Sequence, residues 1–434
     1  MREFSKGQKI KIKSGGELEV IEKLGEGGQG IVYRVSYNGR EYALKWYFVN
    51  KLKDPKRFYM NLENNIRKGA PTSAFLWPVE ITEYFEGSFG YLMRLRPKEY
   101  EDFSKFLRAK VHFSGINAVI NAALQITTGF RVLHNKGFSY QDLNDGNFFV
   151  NPDTGDVLIC DNDNVAEYGK AFGIAGKCRY MAPEVVTGKK KPDIHTDRFS
   201  LAVVLYMLIF VNHPLEGERT LKSPCLTEEL ERKFYGSEPV FVFDKNNPQN
   251  RPVADLHRNE IKLWSLYPDF VKEAFQEAFS RESMIGNNIE HRVTEKKWQE
   301  IFIKLRDCLA ECPSCNDETF LNLSQSESNC ICCGKVITNP FVLKVKKNVI
   351  ALMPSKKIYA CHTVYDSEDY NQEMGEVVLS KSVPAVSGLK NNSGRAWTAV
   401  ASNGASKSYE SGQVIKLVKG LKIRFGNDND GEIL

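Results

Sequence analysis

Over the first ninety residues apolar and polar positions alternate, as in Val20–Gly25, Ile31–Tyr37 and Tyr42–Phe48, with turn residues between the runs. A period of two sends alternate side chains to opposite faces, so these runs predict antiparallel strands. One helix interrupts them, from about Asp54 to Lys68. After Phe103 the period changes: Ile116–His134 carries apolar residues at the 3.6-residue spacing of a helix with one buried face. Two short strand-like pieces, Phe148–Val150 and Val157–Cys160, flank the turn Asn151–Gly155. A β-rich lobe (about 1–95) followed by a helix-rich lobe (about 96–306) is the implied α+β arrangement. Residues 306–335 then hold six of the ten cysteines. From Pro340 to Leu434, short β-branched runs broken by Gly, Asn and Ser predict a small all-β, sandwich-like domain. The expected domains are therefore 1–306, 307–339 and 340–434.

Composition sharpens this only in places. At 434 residues the chain exceeds a single core, since domains run to roughly 100–200 residues. Apolar residues at 42% and charged residues at 26% exclude collagen-like and wholly disordered classes. The longest apolar run, Leu201–Val211, has 11 residues, whereas a membrane span needs about 20. The first twenty residues lack the apolar block of a signal peptide, so the expectation is a cytoplasmic protein without a membrane partner. There the cysteines read as thiols or metal ligands rather than disulfides. The net charge of +5 (59 − 54) is too small to argue for nucleic acid. All of that excess lies from Lys335 onward, with 14 basic and 9 acidic residues, and reads as a solvated face.

Chemistry enters with Gly25-Glu26-Gly27-Gly28-Gln29-Gly30, between two predicted strands. Glycines let backbone amides approach phosphates closely, although a plain glycine-rich turn is the competing reading. Val32 follows and is placed to cap an aromatic ring. Lys45, in Ala43-Leu44-Lys45, lies on a buried strand and needs an anionic partner. Glu63 on the next helix is the natural candidate; a surface Lys–Glu pair is the bland alternative. Further on come Tyr140-Gln141-Asp142-Leu143-Asn144-Asp145-Gly146-Asn147, then Asp161-Asn162-Asp163, then Tyr180-Met181-Ala182-Pro183-Glu184.

With those motifs in that order, residues 15–306 resemble a eukaryotic-type protein kinase. The resemblance implies a bilobal kinase fold, ATP with Mg²⁺ (or Mn²⁺), and a protein substrate. Gly25, Gly27, Gly28, Gly30, Val32, Ala43 and Met93 would surround the nucleotide. Lys45, paired with Glu63, would hold its α- and β-phosphates. Asp142 would take the proton of a Ser or Thr hydroxyl, while Asn147 and Asp161 would hold the metal. Asp197 would fix the catalytic-loop backbone, and Arg292 would pair with Glu184. Four departures stand out. Gln141 replaces an arginine that docks phosphorylated segments, and residues 161–184 contain no Ser or Thr, which predicts activation without phosphorylation there. Asn144 stands at the place of a γ-phosphate lysine, Lys177 at that of its threonine neighbour, and Asn162-Asp163 at that of Phe-Gly. Lys177 could therefore supply the displaced cation; the simpler alternative is a solvent-facing lysine. The leading reading is a Ser/Thr protein kinase, with a nucleotide-binding pseudokinase scaffold as its rival. A small-molecule kinase is disfavoured by Ala182-Pro183-Glu184 together with Asp197 and Arg292.

Cys312-Pro-Ser-Cys315 and Cys330-Ile-Cys-Cys333 are two C-x₂-C pairs separated by 14 residues, which predicts a zinc ribbon. The tail, with Gly388–Thr398 and Gly420–Gly426, resembles a reduced forkhead-associated-type sandwich. That family's phosphothreonine-reading residues cannot be placed in it, so a docking or capping role is favoured. The whole arrangement resembles bacterial zinc-ribbon kinases of tellurium-resistance-type clusters. That resemblance implies a von Willebrand A-type protein and a metal-dependent protein phosphatase as partners.

Overall fold

The alternating strands of the first ninety residues close into one antiparallel sheet, built here from a computed structural model that describes residues 3–434 except 171–175, 224, 288, 381–386 and 427. Its strands are β1 (Lys9–Lys11), β2 (Glu17–Glu26), β3 (Gly30–Tyr37), β4 (Arg40–Tyr47), β5 (Glu80–Ile81) and β6 (Gly90–Arg94), in the order β1-β2-β3-β4-β6-β5. Leu18, Val20, Tyr33, Val35, Leu44 and Trp46 fill the core on one face. Ala43, Tyr47, Tyr91 and Met93 point to the other, where α1 (Pro55–Lys68) adds Phe58, Tyr59 and Leu62. Helix α1 begins where Asp54 accepts a hydrogen bond from Arg57 N (3.0 Å), with proline at the first turn. It stops at Gly69, whose φ of 71° disfavours a side chain.

Below the sheet follow β7 (Glu101–Asp102), α2 (Phe103–Leu107), α3 (Ile116–Asn135), β8 (Phe138–Ser139), β9 (Phe148–Val150), β10 (Val157–Ile159), β11 (Ala166–Glu167), α4 (Pro183–Val186) and α5 (Ile194–Phe210). Strands β10, β9 and β7 form a small sheet, and β11 pairs with β8. The apolar run at 201–211 is the buried part of α5, opened by a capping box between Asp193 and Thr196. Tyr206 and Phe210 on α5 pack edge-on against Phe275.

Helices α3 and α5 meet the start of the helix Glu295–Asp307 at a buried charge cluster. His134 donates from both ring nitrogens, to Asp197 Oδ2 (3.1 Å) and to Glu295 Oε1 (2.8 Å), and Arg198 Nε also reaches Glu295 Oε1 (2.9 Å). Burial opposes the imidazolium, but the two carboxylates outweigh it and push the His134 pKa up to about 9.

The contacts divide the chain into two compact units: residues 1–265 with 272–299, and residues 266–271 with 300–434. The second unit opens with two hairpins, β12–β13 (Leu309–Glu311, Glu318–Phe320) and β14–β15 (Glu327–Asn329, Val336–Thr338). Two antiparallel sheets follow. One contains β16 (Val342–Val345), β17 (Asn348–Ala351), β21 (Trp397–Val400), β22 (Ser406–Tyr409), β24 (Lys422–Arg424) and β25 (Asp430–Ile433). The other contains β18 (Lys357–Tyr359), β19 (Glu373–Leu379), β20 (Ser387–Asn391) and β23 (Val414–Lys416). Leu343, Ile350 and Ile423 from the first share one core with Val377, Leu389 and Ile415 from the second, and Trp397 lies within it.

The His134 cluster gives a signed prediction. A group whose pKa is raised from 6.5 to about 9 on folding contributes stability fully below about pH 6.5 and loses it as pH rises through about 9. The melting temperature of wild type should therefore exceed that of His134→Gln most at pH 6 and by least at pH 9.5. A difference that is flat across this window in thermal melts would contradict a charged His134.

Candidate active site

Residues 43, 45 and 47 project from one face of β4 because side chains alternate along a strand. Lys45 is buried at 8% exposure, and its Nζ lies 2.7 Å from Asp163 Oδ2 and 3.1 Å from Asp161 Oδ1. The Tyr47 hydroxyl donates to the same Asp163 oxygen at 2.5 Å. Burial alone would lower the lysine pKa, but Asp163 and Asp161 more than offset it and hold the ammonium charged.

The expected pair between Lys45 and Glu63 is not the one formed. Glu63 instead pairs with Lys13 in an exposed ion pair. The helical register explains the difference: α1 turns Phe58, Asn61, Leu62 and Asn65 inward. Glu63 lies about 200° around the helix from Asn61, on the outer side. The inward amides of Asn61 and Asn65 donate to Val165 O at 2.8 and 2.9 Å.

Asp197 fixes the loop that carries Asp142. Its carboxylate accepts from Tyr140 N (2.6 Å) and Gln141 N (3.0 Å), and Gln141 sits at φ 72°. The Gln141 amide donates onward to Lys170 O (2.6 Å), tying the loop to the segment after Asp161 directly. Asn144 Nδ2 donates to Asp142 Oδ1 (3.2 Å), and Asn147 Nδ2 to Asp142 O (2.6 Å). Burial, followed by the charge of Asp161, pushes the Asp142 carboxyl up to about 6, while the Asn144 amide and Lys177 pull it back. Cys160 N donates to Asn147 O (2.9 Å), which ties Asn147 to the residue just before Asp161. Asp161 itself takes a left-handed φ of 51°, an unusual conformation for a residue with a side chain. Lys177 Nζ lies 2.7 Å from Asp145 Oδ1.

Above these groups, β3 sets Val32 opposite Lys45, and β6 sets Met93 opposite Ala43. All three apolar residues belong to a cluster that also contains Leu158 and Cys160. Those two alternate along the segment ending at Asp161, and the short apolar run Val157–Cys160 gives no sign in the sequence that Leu158 and Cys160 face this cluster. Between β2 and β3 the four glycines differ. A Cβ on Gly30 would fall 2.1 Å from Trp46 O, so the close approach of β4 demands glycine. A Cβ on Gly25, Gly27 or Gly28 would meet nothing within 4 Å, although Gly27 N already donates to Gly30 O (2.9 Å).

A family model described as "Protein kinase domain" matches residues 18–261, more than half of the chain. The chain belongs to the protein kinase family. A serine/threonine-protein kinase MPS1 from Encephalitozoon cuniculi is 30% identical over 264 residues, which cover 57% of this chain and 43% of that protein. A serine/threonine-protein kinase PLK4 from Nematostella vectensis is 25% identical over 250 residues, covering 54% and 25%. A serine/threonine/tyrosine-protein kinase HT1 from Arabidopsis thaliana is 25% identical over 294 residues, covering 62% and 72%. The chain thus spans less than half the length of the first two relatives.

In the first unit Arg292 clamps Glu184 through two parallel bonds, Nη1–Oε1 at 2.8 Å and Nη2–Oε2 at 2.9 Å, both side chains being buried. A fork-to-fork pair of this kind is geometrically specific and fixes the segment after Lys177. The second unit holds a different cluster: Cys312, Cys315, Cys330 and Cys333 bring their sulfurs within 4.8 Å of one another. Cys312 and Cys333 are 3.8 Å apart and Cys315 and Cys330 3.7 Å, whereas a disulfide would need about 2.05 Å. Sulfurs placed about 2.3 Å from a tetrahedral Zn²⁺ would stand about 3.8 Å apart, so this set fits that ion. Ser314 N, Cys332 N and Cys333 N point at Cys312 and Cys330 sulfurs at 3.4 Å, as suits thiolates. The Cys332 thiol turns away to Asp317 Oδ2 (2.9 Å).

Removing one side of the Arg292–Glu184 pair should destabilise the kinase domain sharply. Arg292→Leu leaves a buried carboxylate unpaired, an effect of about 3–5 kcal/mol. Urea unfolding should show it, and a loss below about 1 kcal/mol, typical of exposed pairs, would contradict the buried clamp.

Proposed function

We propose that the kinase domain transfers the γ-phosphate of ATP to Ser or Thr hydroxyls of a protein substrate. One observation carries the reading: Lys45 and Asp161 are 3.1 Å apart, Asn147 bonds the backbone of Asp142, and Asp142 feels the charge of Asp161. Four groups suited to phosphoryl transfer therefore form one connected set, as positioning and charge neutralisation require. The similarity to the serine/threonine-protein kinases MPS1 and PLK4 supports Ser/Thr as acceptor.

In this reading Asp142, oriented by Asn144, accepts the substrate hydroxyl proton, and Lys45 presents its ammonium to the nucleotide phosphates. The backbone at Gly25, Gly27 and Gly28 covers those phosphates, and Val32, Ala43, Met93 and Leu158 hold the base. Asn147 and Asp161 would hold Mg²⁺ (or Mn²⁺), whose chemistry is neutralisation of phosphate charge. Lys177, beside the catalytic loop, is the candidate for the cation missing at Asn144. Gln141, an uncharged residue bonded to Lys170 O, offers no cation for a phosphate, and residues 161–184 contain no Ser or Thr, which supports activation without phosphorylation there. The four-cysteine cluster is read as a structural zinc ribbon, and the two-sheet region after it as a docking or capping module of forkhead-associated type. No helix among the described residues is long and apolar enough to cross a membrane. A cytoplasmic location suits the ten cysteines, all free of disulfides. The resemblance to bacterial zinc-ribbon kinases adds a von Willebrand A-type protein and a metal-dependent phosphatase as proposed partners.

Two measurements test the proposal. With radiolabelled ATP and Mg²⁺ or Mn²⁺, wild type should label itself or a generic protein substrate, and Asp142→Ala should lower the rate roughly 10²–10⁴-fold. Binding of MgATP by wild type with no transfer under either metal would favour the scaffold reading. Elemental analysis should return one zinc per chain, lost in Cys315→Ser/Cys330→Ser together with the folded state of the hairpins. Unchanged metal content in that variant would remove the ribbon from the proposal.

A further inference from the structure

The proposed function needs Lys45 held charged and aimed, and the residue that does so is not on α1. We infer that Asp163 is the positioning residue for Lys45, so that the lysine is set by the 161–163 segment itself rather than by a carboxylate on the helix α1. The inference rests on the kinase reading for its consequence, but its geometry stands alone.

Lys45 has two carboxylate neighbours, and they are not equivalent. The Asp161 side chain is 43% exposed and open to a cation, whereas that of Asp163 is fully buried. When a metal occupies Asp161, Asp163 is the anion left to neutralise the buried ammonium. Tyr47, two residues along β4 from Lys45, donates to the same Asp163 oxygen and so fixes the carboxylate from the strand that carries the lysine. Burial beside Asp163 keeps that phenol protonated, as a donor must be.

Helix α1 offers no substitute. Its inward face carries the uncharged Asn61 and Asn65, both bonded to Val165 O, and between them the fully buried Leu62. Glu63 lies one turn after the buried Tyr59 and about 100° around the helix from Leu62, and turning it to the place of Leu62 would break both amide contacts and displace Leu62 from the core. A lysine whose anion sits on the metal-binding segment is set whenever that segment is set, and no carboxylate of the helix is needed to complete the pair.

The test is a double-mutant cycle on the full chain, read as melting temperature and as MgATP affinity by displacement of a fluorescent ATP analogue. Asp163→Asn should weaken MgATP binding, and where transfer is measurable lower kcat/KM, by roughly 10²-fold. Glu63→Gln should change either by less than about fivefold, as removal of an exposed ion pair does. In a Lys45→Met background, Asp163→Asn should add no further loss of affinity, and the double variant should melt higher than Asp163→Asn alone because no buried charge is left unpaired. The melting comparison decides even if Asp163→Asn is too unstable to assay. The inference is overturned if Asp163→Asn binds MgATP like wild type, if it costs as much without Lys45 as with it, or if Glu63→Gln matches its loss. Should wild type transfer no phosphate, the proposed activity fails while the affinity and melting cycle still decides the role of Asp163.

Discussion

A lysine taken out of water must keep a counter-charge within a few ångströms, and much of the kinase domain is arranged around that requirement. Lys45 lies on the sheet and Asp163 on a segment more than a hundred residues later, with 2.7 Å between their charged atoms. Neither can move far alone, because an ion left unpaired in a dry interior costs several kcal/mol. The strand β4 and the 161–163 segment are therefore held in one relation, with Tyr47 bonded to the same oxygen. Helix α1 is tied to this segment too, but through the neutral amides of Asn61 and Asn65. Charge and helix position, which one ion pair could have linked, are thereby separated.

The helical lobe uses the same device at two further places. Asp197 accepts from the backbone of Tyr140 and Gln141 while touching the protonated His134, so a charge buried on α5 holds the loop that bears Asp142. Arg292 does the equivalent for Glu184. Replacing such pairs with apolar residues need not destabilise a protein, whereas removing one partner does. Their contribution here is directional: each fixes the backbone course of a loop whose buried Tyr140, Leu143 or Tyr180 supplies apolar contact without direction. The left-handed backbone at Gln141, whose N donates to Asp197, has this support directly.

The second unit meets a different constraint. Its two cysteine hairpins have strands of only three residues each, too short to be stable by pairing alone. They share a small core of Ala310, Leu321, Ile337 and Ala351 around Cys312 and Cys330. Four sulfurs within 4.8 Å of one another lie at the centre of this small core. The two sheets that follow need no such help, since Trp397 and its neighbours form a continuous apolar core.

By itself the sequence determined the elements and most of the site. Alternation in β3 and β4, the helical period of α3 and the apolar run of α5 all report local burial, which side-chain periodicity records directly. The order from Gly25 through Asp142, Asn147 and Asp161 to Glu184 was legible because each residue type is demanded by local chemistry. The C-x₂-C spacing was legible for the same reason: a ligand pair on one turn is a local fact. Partnership was not local, and only the tertiary structure decided it. Glu63 reads as the partner of Lys45 because it is an acid on the next helix, but whether a helical residue faces inward depends on which side of the helix the rest of the fold covers. Here it covers the side of Asn61 and Asn65. Asp163 was visible in the sequence as a departure from Gly, without a sign of its purpose. Its purpose lies in the juxtaposition of a strand and a loop more than a hundred residues apart, which no spacing along the chain encodes.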